Sequence, residues 1–384
     1  MTEDWVLKRA LVAWAGVFCA CAVVIDPIHP PSPHCGDATC DRSETCASCP
    51  ADCGDCQANN DAGVAPPDAG TPPPPDAGSP PDSGMLEPDG PLPRLKTAGN
   101  RIVTPAGADV LLRGVNVLES EWILNTSWET VGIPYVGQNW HANVIVRGFA
   151  ADPVNSNSSS YLSMLDDHVS LTEKNHMYLI FAFRSYGIDG DQPDQPNSSA
   201  TSALVKLATR YREKSHVMFA LQVEPDSSES LSWSSLRPLW ESMVDAIRAA
   251  TSPYETIIFI PGTRTGVRTE DAINDPVKRT NVVYKSHPYN HPDEFGTDFL
   301  DAYQHGLPVF LGEFGPDLPW MTMSDVTAML ELADQNQLGW AAWIFDDSGP
   351  PVLLQHPRTS FIPSDPFGVA VKAKLGTTPP LPRQ

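Results

Sequence analysis

Short apolar runs recur along the last three-quarters of the chain. They fall near 110–117, 142–147, 177–183, 217–223, 256–261, 281–286, 307–312 and 338–345. Runs of this length, apolar on both faces, predict buried parallel strands. Between most of them the apolar positions change to helical spacing. Ser159 to Lys174 carries Leu162, Leu165, Val169 and Leu171 in this way, and Ala200 to Arg212, Leu236 to Ala250 and Ser324 to Gln337 behave similarly. Eight strands alternating with helices over residues 95–378 predict one α/β domain, a (β/α)8 TIM barrel. Leu95 to Ala108 predicts a short hairpin closing the barrel floor, with Asn100 and Gly107 supplying turn chemistry.

The chain before the barrel has a different character. Lys8 and Arg9 precede an apolar stretch, Ala10 to Val24, which is short for a membrane span and suits a signal peptide over residues 1–25. Ala20-Cys21 within it resembles a bacterial lipoprotein processing site, so a lipidated Cys21 tether stands beside an ordinary cleavage. Six cysteines then crowd residues 35–56: Cys35, Cys40, Cys46, Cys49, Cys53 and Cys56. Outside the cell such crowding predicts a small disulfide-rich module of undetermined pairing. The Cys46/Cys49 and Cys53/Cys56 steps would also suit zinc. Residues 57–93 are rich in Pro, Ala, Gly and Asp, with Asp-Ala-Gly recurring, and predict an extended, disordered acidic linker. The expected location is secreted or at a bacterial cell surface. The formal net charge of -22 over 384 residues argues against a nucleic-acid partner and is compatible with a neutral polysaccharide. A monomer is expected.

The chemistry lies at the strand ends, which in a barrel of parallel strands form the catalytic rim. The run Val217 to Val223 ends in Glu224, and the run Leu307 to Gly312 ends in Glu313. Two carboxylates facing each other across a sugar are what glycosidic bond cleavage requires. Other strand ends add Arg147, Arg184, His287 and Tyr289, while Trp343 lies in the last apolar run. Glu119, Glu121, Asp346 and Asp347 are rim positions suited to shaping subsites or to solvation. Each residue alone has a structural explanation; together they mark one site.

These features, in this order, resemble glycoside hydrolase family 5, the cellulase family whose catalytic glutamates lie on strands 4 and 7. The resemblance spans residues 95–378. It rests on Leu112-Arg113-Gly114-Val115-Asn116, Arg147, His287-x-Tyr289, Gly312-Glu313-Phe314-Gly315 and Trp343. The Cys-rich segment is similar to small modules in surface proteins of some bacteria, through Cys35-Gly-Asp-x-x-Cys40 and Cys49-Pro-x-Asp-Cys53-Gly54. The family resemblance implies that Glu313 is the nucleophile and Glu224 the acid/base. It implies that Tyr289 donates a hydrogen bond to Glu313 and that Arg147 lowers the pKa of that carboxylate. His287 would lie near the sugar or the acid/base, and Trp343 would offer a platform to a pyranose ring. Three departures stand out: Val223 where the family has Asn before the acid/base, Arg184 where it often has His, and Asn143 one residue further from Arg147 than its spacing.

The reading is a retaining endo-β-glycosidase acting on a β-1,4-linked polysaccharide, cellulose or another β-glucan. A mannanase on the same barrel is the nearest alternative. A non-catalytic carbohydrate-binding surface protein is the alternative from another class, favoured by Val223 and Arg184. No cofactor and no metal are expected, because strand 1 lacks His-x-His and His287 has no neighbouring ligand set.

Overall fold

The computed structural model describes residues 90–117, 126–187, 192–225 and 230–382. The signal segment with Cys21, the Cys-rich segment 35–56, most of the 57–93 linker, and Glu119 and Glu121 lie outside the described residues.

Eight parallel strands close into a barrel: β3 (Arg113–Val117), β4 (Val144–Ala150), β5 (Tyr178–Ser185), β6 (Val217–Ala220), β7 (Ile258–Pro261), β8 (Val282–Ser286), β9 (Val309–Leu311) and β10 (Gly339–Ala342), with β10 pairing β3. The side-chain period of two divides each apolar run between two cores. Val144, Val146, Ile180, Ala182, Met218, Ala220, Phe259, Val283, Phe310 and Ala341 fill the barrel interior. Ile145, Leu179, Phe181, Phe183, Phe219, Ile258, Ile260, Tyr284 and Leu311 face the helices. Both faces of every strand are therefore dry, which explains why the runs read as continuous rather than alternating.

The expected hairpin is present as β1 (Lys96–Ala98) and β2 (Arg101–Val103), paired antiparallel. Chain before it also joins the floor. Leu95 is buried in the interior cluster with Leu92 against it. The Tyr178 hydroxyl donates to the Pro93 carbonyl at 2.9 Å, and Arg94 donates to the Arg212 carbonyl at 2.8 Å.

Among the described residues the α-helices are α1 (Thr126–Trp140), α2 (Ala151–Asn155), α3 (Ser159–Lys174), α4 (Ser198–Tyr211), α5 (Trp233–Thr251), α6 (Asp301–Gln304), α7 (Met323–Gln335) and α8 (Phe367–Leu375). Starts follow local chemistry. The Asn197 side chain accepts from the Ser199 amide at 2.8 Å to cap α4, and Thr322 and Asp325 form a capping box on α7. Helix α1 carries Pro134, so its spacing gave no helical signal in the sequence.

Polar anchors fix the strands near the site. Asn143 accepts from the Arg113 amide and donates to the Leu111 carbonyl, both at 2.8 Å, which sets the start of β3 against β4. Buried Asn116 donates to the Gly312 carbonyl at 2.9 Å and the Ala341 carbonyl at 3.2 Å. That contact fixes the backbone directly before Glu313.

Candidate active site

Glu224 and Glu313 leave the barrel at the carboxyl ends of β6 and β9. The Val223 amide donates to the Phe183 carbonyl at 2.8 Å, and the Gly312 amide donates to the Ser286 carbonyl at 2.7 Å. Barrel pairing thus continues past each regular strand up to the residue before the glutamate. One carboxylate oxygen of each glutamate and one nitrogen of His287 lie within 4.8 Å of one another. His287 ends β8 between the two carboxylates. Its Nδ1 stands 3.1 Å from Glu224 Oε1 and 3.7 Å from Glu313 Oε2. Gln192 Nε2 donates to the other Glu224 oxygen at 3.3 Å.

Burial governs the protonation of this group. His287 is fully buried, and desolvation, then the nearby Lys285 charge, lowers its pKa to about 4. The imidazole is therefore neutral near pH 7, and with its proton on Nδ1 it donates to Glu224. Desolvation raises the Glu313 carboxyl to about 8, with the Glu224 charge as second cause, while Lys285 and Arg184 pull it back. Two carboxylates this close titrate as a pair. Protonating one removes a cause of the other's raised pKa, so near neutral pH the pair holds one acid and one carboxylate. Lys285 interacts with Glu313 first and Glu224 second, so its charge favours ionisation of the pair.

Four other expected residues have defined places. Trp343 is half-buried just past β10, where its Nε1 donates to the Gly349 carbonyl at 3.0 Å. The Arg184 guanidinium lies 5.4 Å from the Trp343 ring centroid, a cation–π contact at the rim. Tyr289 follows His287, and its amide donates to the His287 carbonyl at 2.8 Å. Arg147 requires a correction. It does not turn toward Glu313 but faces the helix layer, where its Nε donates to His168 Nδ1 at 3.2 Å and its Nη2 approaches Met164 Sδ at 3.7 Å. The extra residue between Asn143 and Arg147 is the reason. It moves the arginine to the outward face and leaves Val146 on the inward one.

Among the described residues, Lys285 and Arg184 are cations that act on Glu313. Arg184 stood among the rim residues; Lys285 was missed. A signal was present, since Val283, Lys285 and His287 alternate along one run and must share a face. Asp346 and Asp347 hold the chain after β10. Arg358 pairs with Asp346 at 2.5 Å, and the Asp347 carboxylate accepts from the Arg358 amide at 2.8 Å. Against the expectation of no ligand set beside His287, Glu224 and Glu313 flank it with donor types that suit a cation; the positive charge beside Glu313 is that of Lys285 and Arg184.

The family model for cellulase (glycosyl hydrolase family 5) matches residues 104–349, more than half of the chain. The chain belongs to glycosyl hydrolase family 5. It is a glycoside hydrolase, with the barrel and strand-end glutamates described above. Among similar proteins, Cellulase CelDZ1 of Thermoanaerobacterium sp is 24% identical over 70% of this chain and 73% of its own length. Endoglucanase CelA of Streptomyces lividans is 24% identical over 75% of this chain and 65% of its own length. Among solved structures, the β-glucanase SdGluc5_26A from Saccharophagus degradans, in complex with cellotetraose, superposes with a TM-score of 0.64 at 18% identity. It covers 74% of this chain and 93% of its own. The Thermobifida fusca endoglucanase Cel5A catalytic domain gives a TM-score of 0.62 at 18% identity, covering 74% and 97%. At such identities the superpositions establish the shared fold.

Proposed function

We propose that this family 5 barrel is an exported, retaining endo-β-glycosidase that cuts β-1,4-linked glucan through a glycosyl-enzyme intermediate. The observation that carries the reading is the approach of Glu224 and Glu313 oxygens to within 4.8 Å on one rim. Retaining enzymes hold their carboxyl groups about 5–5.5 Å apart, and inverting enzymes leave room for a water, about 6.5–9.5 Å. Glu313 attacks the anomeric carbon while Glu224 protonates the leaving oxygen. Glu224 then takes a proton from the water that releases the sugar. Neutral His287 holds Glu224 in place through both steps. Trp343, with Arg184 over one face, bounds the sugar site with an apolar surface. The relatives named as endoglucanases and the neighbours solved with cellotetraose support glucan as the substrate.

Val223 favours a second reading of the substrate. It stands where an Asn would bind the 2-hydroxyl, so discrimination at carbon 2 is weakened and mannan becomes a competing substrate. A panel of soluble β-glucans, xylan, xyloglucan and mannans, scored for new reducing ends, separates these readings. The mechanism is tested with an aryl β-glycoside. Glu313→Ala abolishes cleavage of every substrate. Glu224→Ala retains glycosylation by the aryl substrate, and added azide speeds its turnover to a β-glycosyl azide. Equal loss on all substrates without azide rescue refutes the roles. Inactivity of the wild type on every β-glycan would instead support a carbohydrate-binding protein.

A further inference from the structure

A lysine side chain lies inside the barrel against the residues that precede both glutamates. Lys285 is 2% exposed. Its Nζ donates to the Val223 carbonyl at 3.2 Å, one residue before Glu224. Its aliphatic stem passes Gly312, one residue before Glu313, so closely that a Cβ there would lie 2.5 Å from Lys285 Cγ. An ammonium is costly to bury without a counter-charge. A carbonyl offers only a partial one. The charged and titratable groups facing it are Glu313, Glu224 and His287, with Arg184 on the far side of the same cluster beside His287 and Glu313. Of these, His287 is neutral and Arg184 is itself cationic, so the two glutamates are the counter-charge. The arginine expected to serve Glu313 faces the other way, toward His168.

We propose that Lys285 is the resident counter-cation of the catalytic pair, a positioning residue whose charge opposes protonation of Glu313 and Glu224. The inference rests on the retaining reading of this same site. The electrostatics agree with it: burial lowers the lysine to about 8, and Glu313, followed by Glu224, opposes that fall. A charge acting through a fixed geometry differs from a packing contact in what its loss changes. Without the ammonium both carboxyl groups hold their protons to higher pH. The acid limb, set by Glu313, and the alkaline limb, set by Glu224, should then move in the same direction.

The test is the pH profile of kcat/KM on an aryl β-glycoside for the wild type, Lys285→Met and Lys285→Gln. Both variants should shift the bell upward by roughly one to two pH units, the scale expected for a unit charge near a buried carboxylate. A uniform loss at all pH values, with neither limb displaced in a folded variant, overturns the proposal. A second measurement needs no lysine variant. The ε-carbon resonance of Lys285 is titrated in the wild type and in the Glu313→Gln/Glu224→Gln double variant. Removing both carboxyls should lower the lysine pKa; an unchanged value overturns the proposal. That titration does not depend on turnover. A chain inactive on every β-glycan, with a lysine that still responds to the double variant, would refute the glycosidase reading and uphold the counter-cation.

Discussion

Replacing Gly312 with Ala tests how tightly the site is built. The added Cβ would lie 2.5 Å from Lys285 Cγ, 2.6 Å from Lys285 Cδ and 2.9 Å from His287 Nε2. Carbon contacts are comfortable at about 3.5–4.0 Å, so the overlap is about 1 Å. The backbone has little freedom to retreat. The Gly312 carbonyl accepts from Asn116 at 2.9 Å, and its amide donates to Ser286 at 2.7 Å. The side chains must give instead, and both are buried. Overpacking of this kind costs about 1–3 kcal/mol. For a domain of this size that lowers Tm by about 2–5 °C. The larger effect falls on catalysis. His287 moves off Glu224, now 3.1 Å away, and the carboxylate pair loses its spacing. A misplacement near 1 Å costs about 100-fold. Circular-dichroism melting and initial rates of reducing-end release from a soluble β-glucan measure the two effects separately. A Gly312→Ala variant with wild-type Tm and kcat/KM within threefold of wild type would refute this account of the packing.

Arg147→Met should lower Tm while leaving kcat/KM within about threefold and the acid limb unmoved, because the guanidinium serves His168 and Met164; a displaced limb would return Arg147 to the site. Asp298 is fully buried, and desolvation raises its carboxyl to about 7, opposed by the Asn290 hydrogen bond. A carboxyl raised in the fold stabilises below its unfolded pKa of 3.8 and loses that contribution as pH rises toward 7. Asp298→Asn, which keeps a partner for Asn290, should therefore gain about 2–4 kcal/mol on the wild type between pH 4 and pH 8; an equal Tm difference at both pH values would contradict this. Compared with removal of residues 1–89, removal of 1–94 also takes the Pro93 and Arg94 contacts to the barrel and should give a measurably lower Tm. Equal Tm values for the two truncations would show that this segment adds nothing.

The barrel was legible in the sequence because its interior and its helix-facing layer are both apolar. Each strand appears as an unbroken run, and α3 falls on the residues whose spacing marked it. The two glutamates were legible for a related reason: a carboxylate ending such a run has no place in either core. Which way a strand-end side chain points was harder, because one added residue inverts the answer. The extra residue after Asn143 was visible in the sequence, but only the paired strands show that Val146 took the inward place and sent Arg147 to the helices. The charge balance of the site was also a tertiary outcome. Lys285 shares an alternating face with His287, yet its role depends on Val223, Gly312, Glu224 and Glu313, which come from strands far apart in the chain. Sequence fixes the period of a strand and the residues at its end. Closure of the barrel alone decides which distant charges share a low-dielectric space.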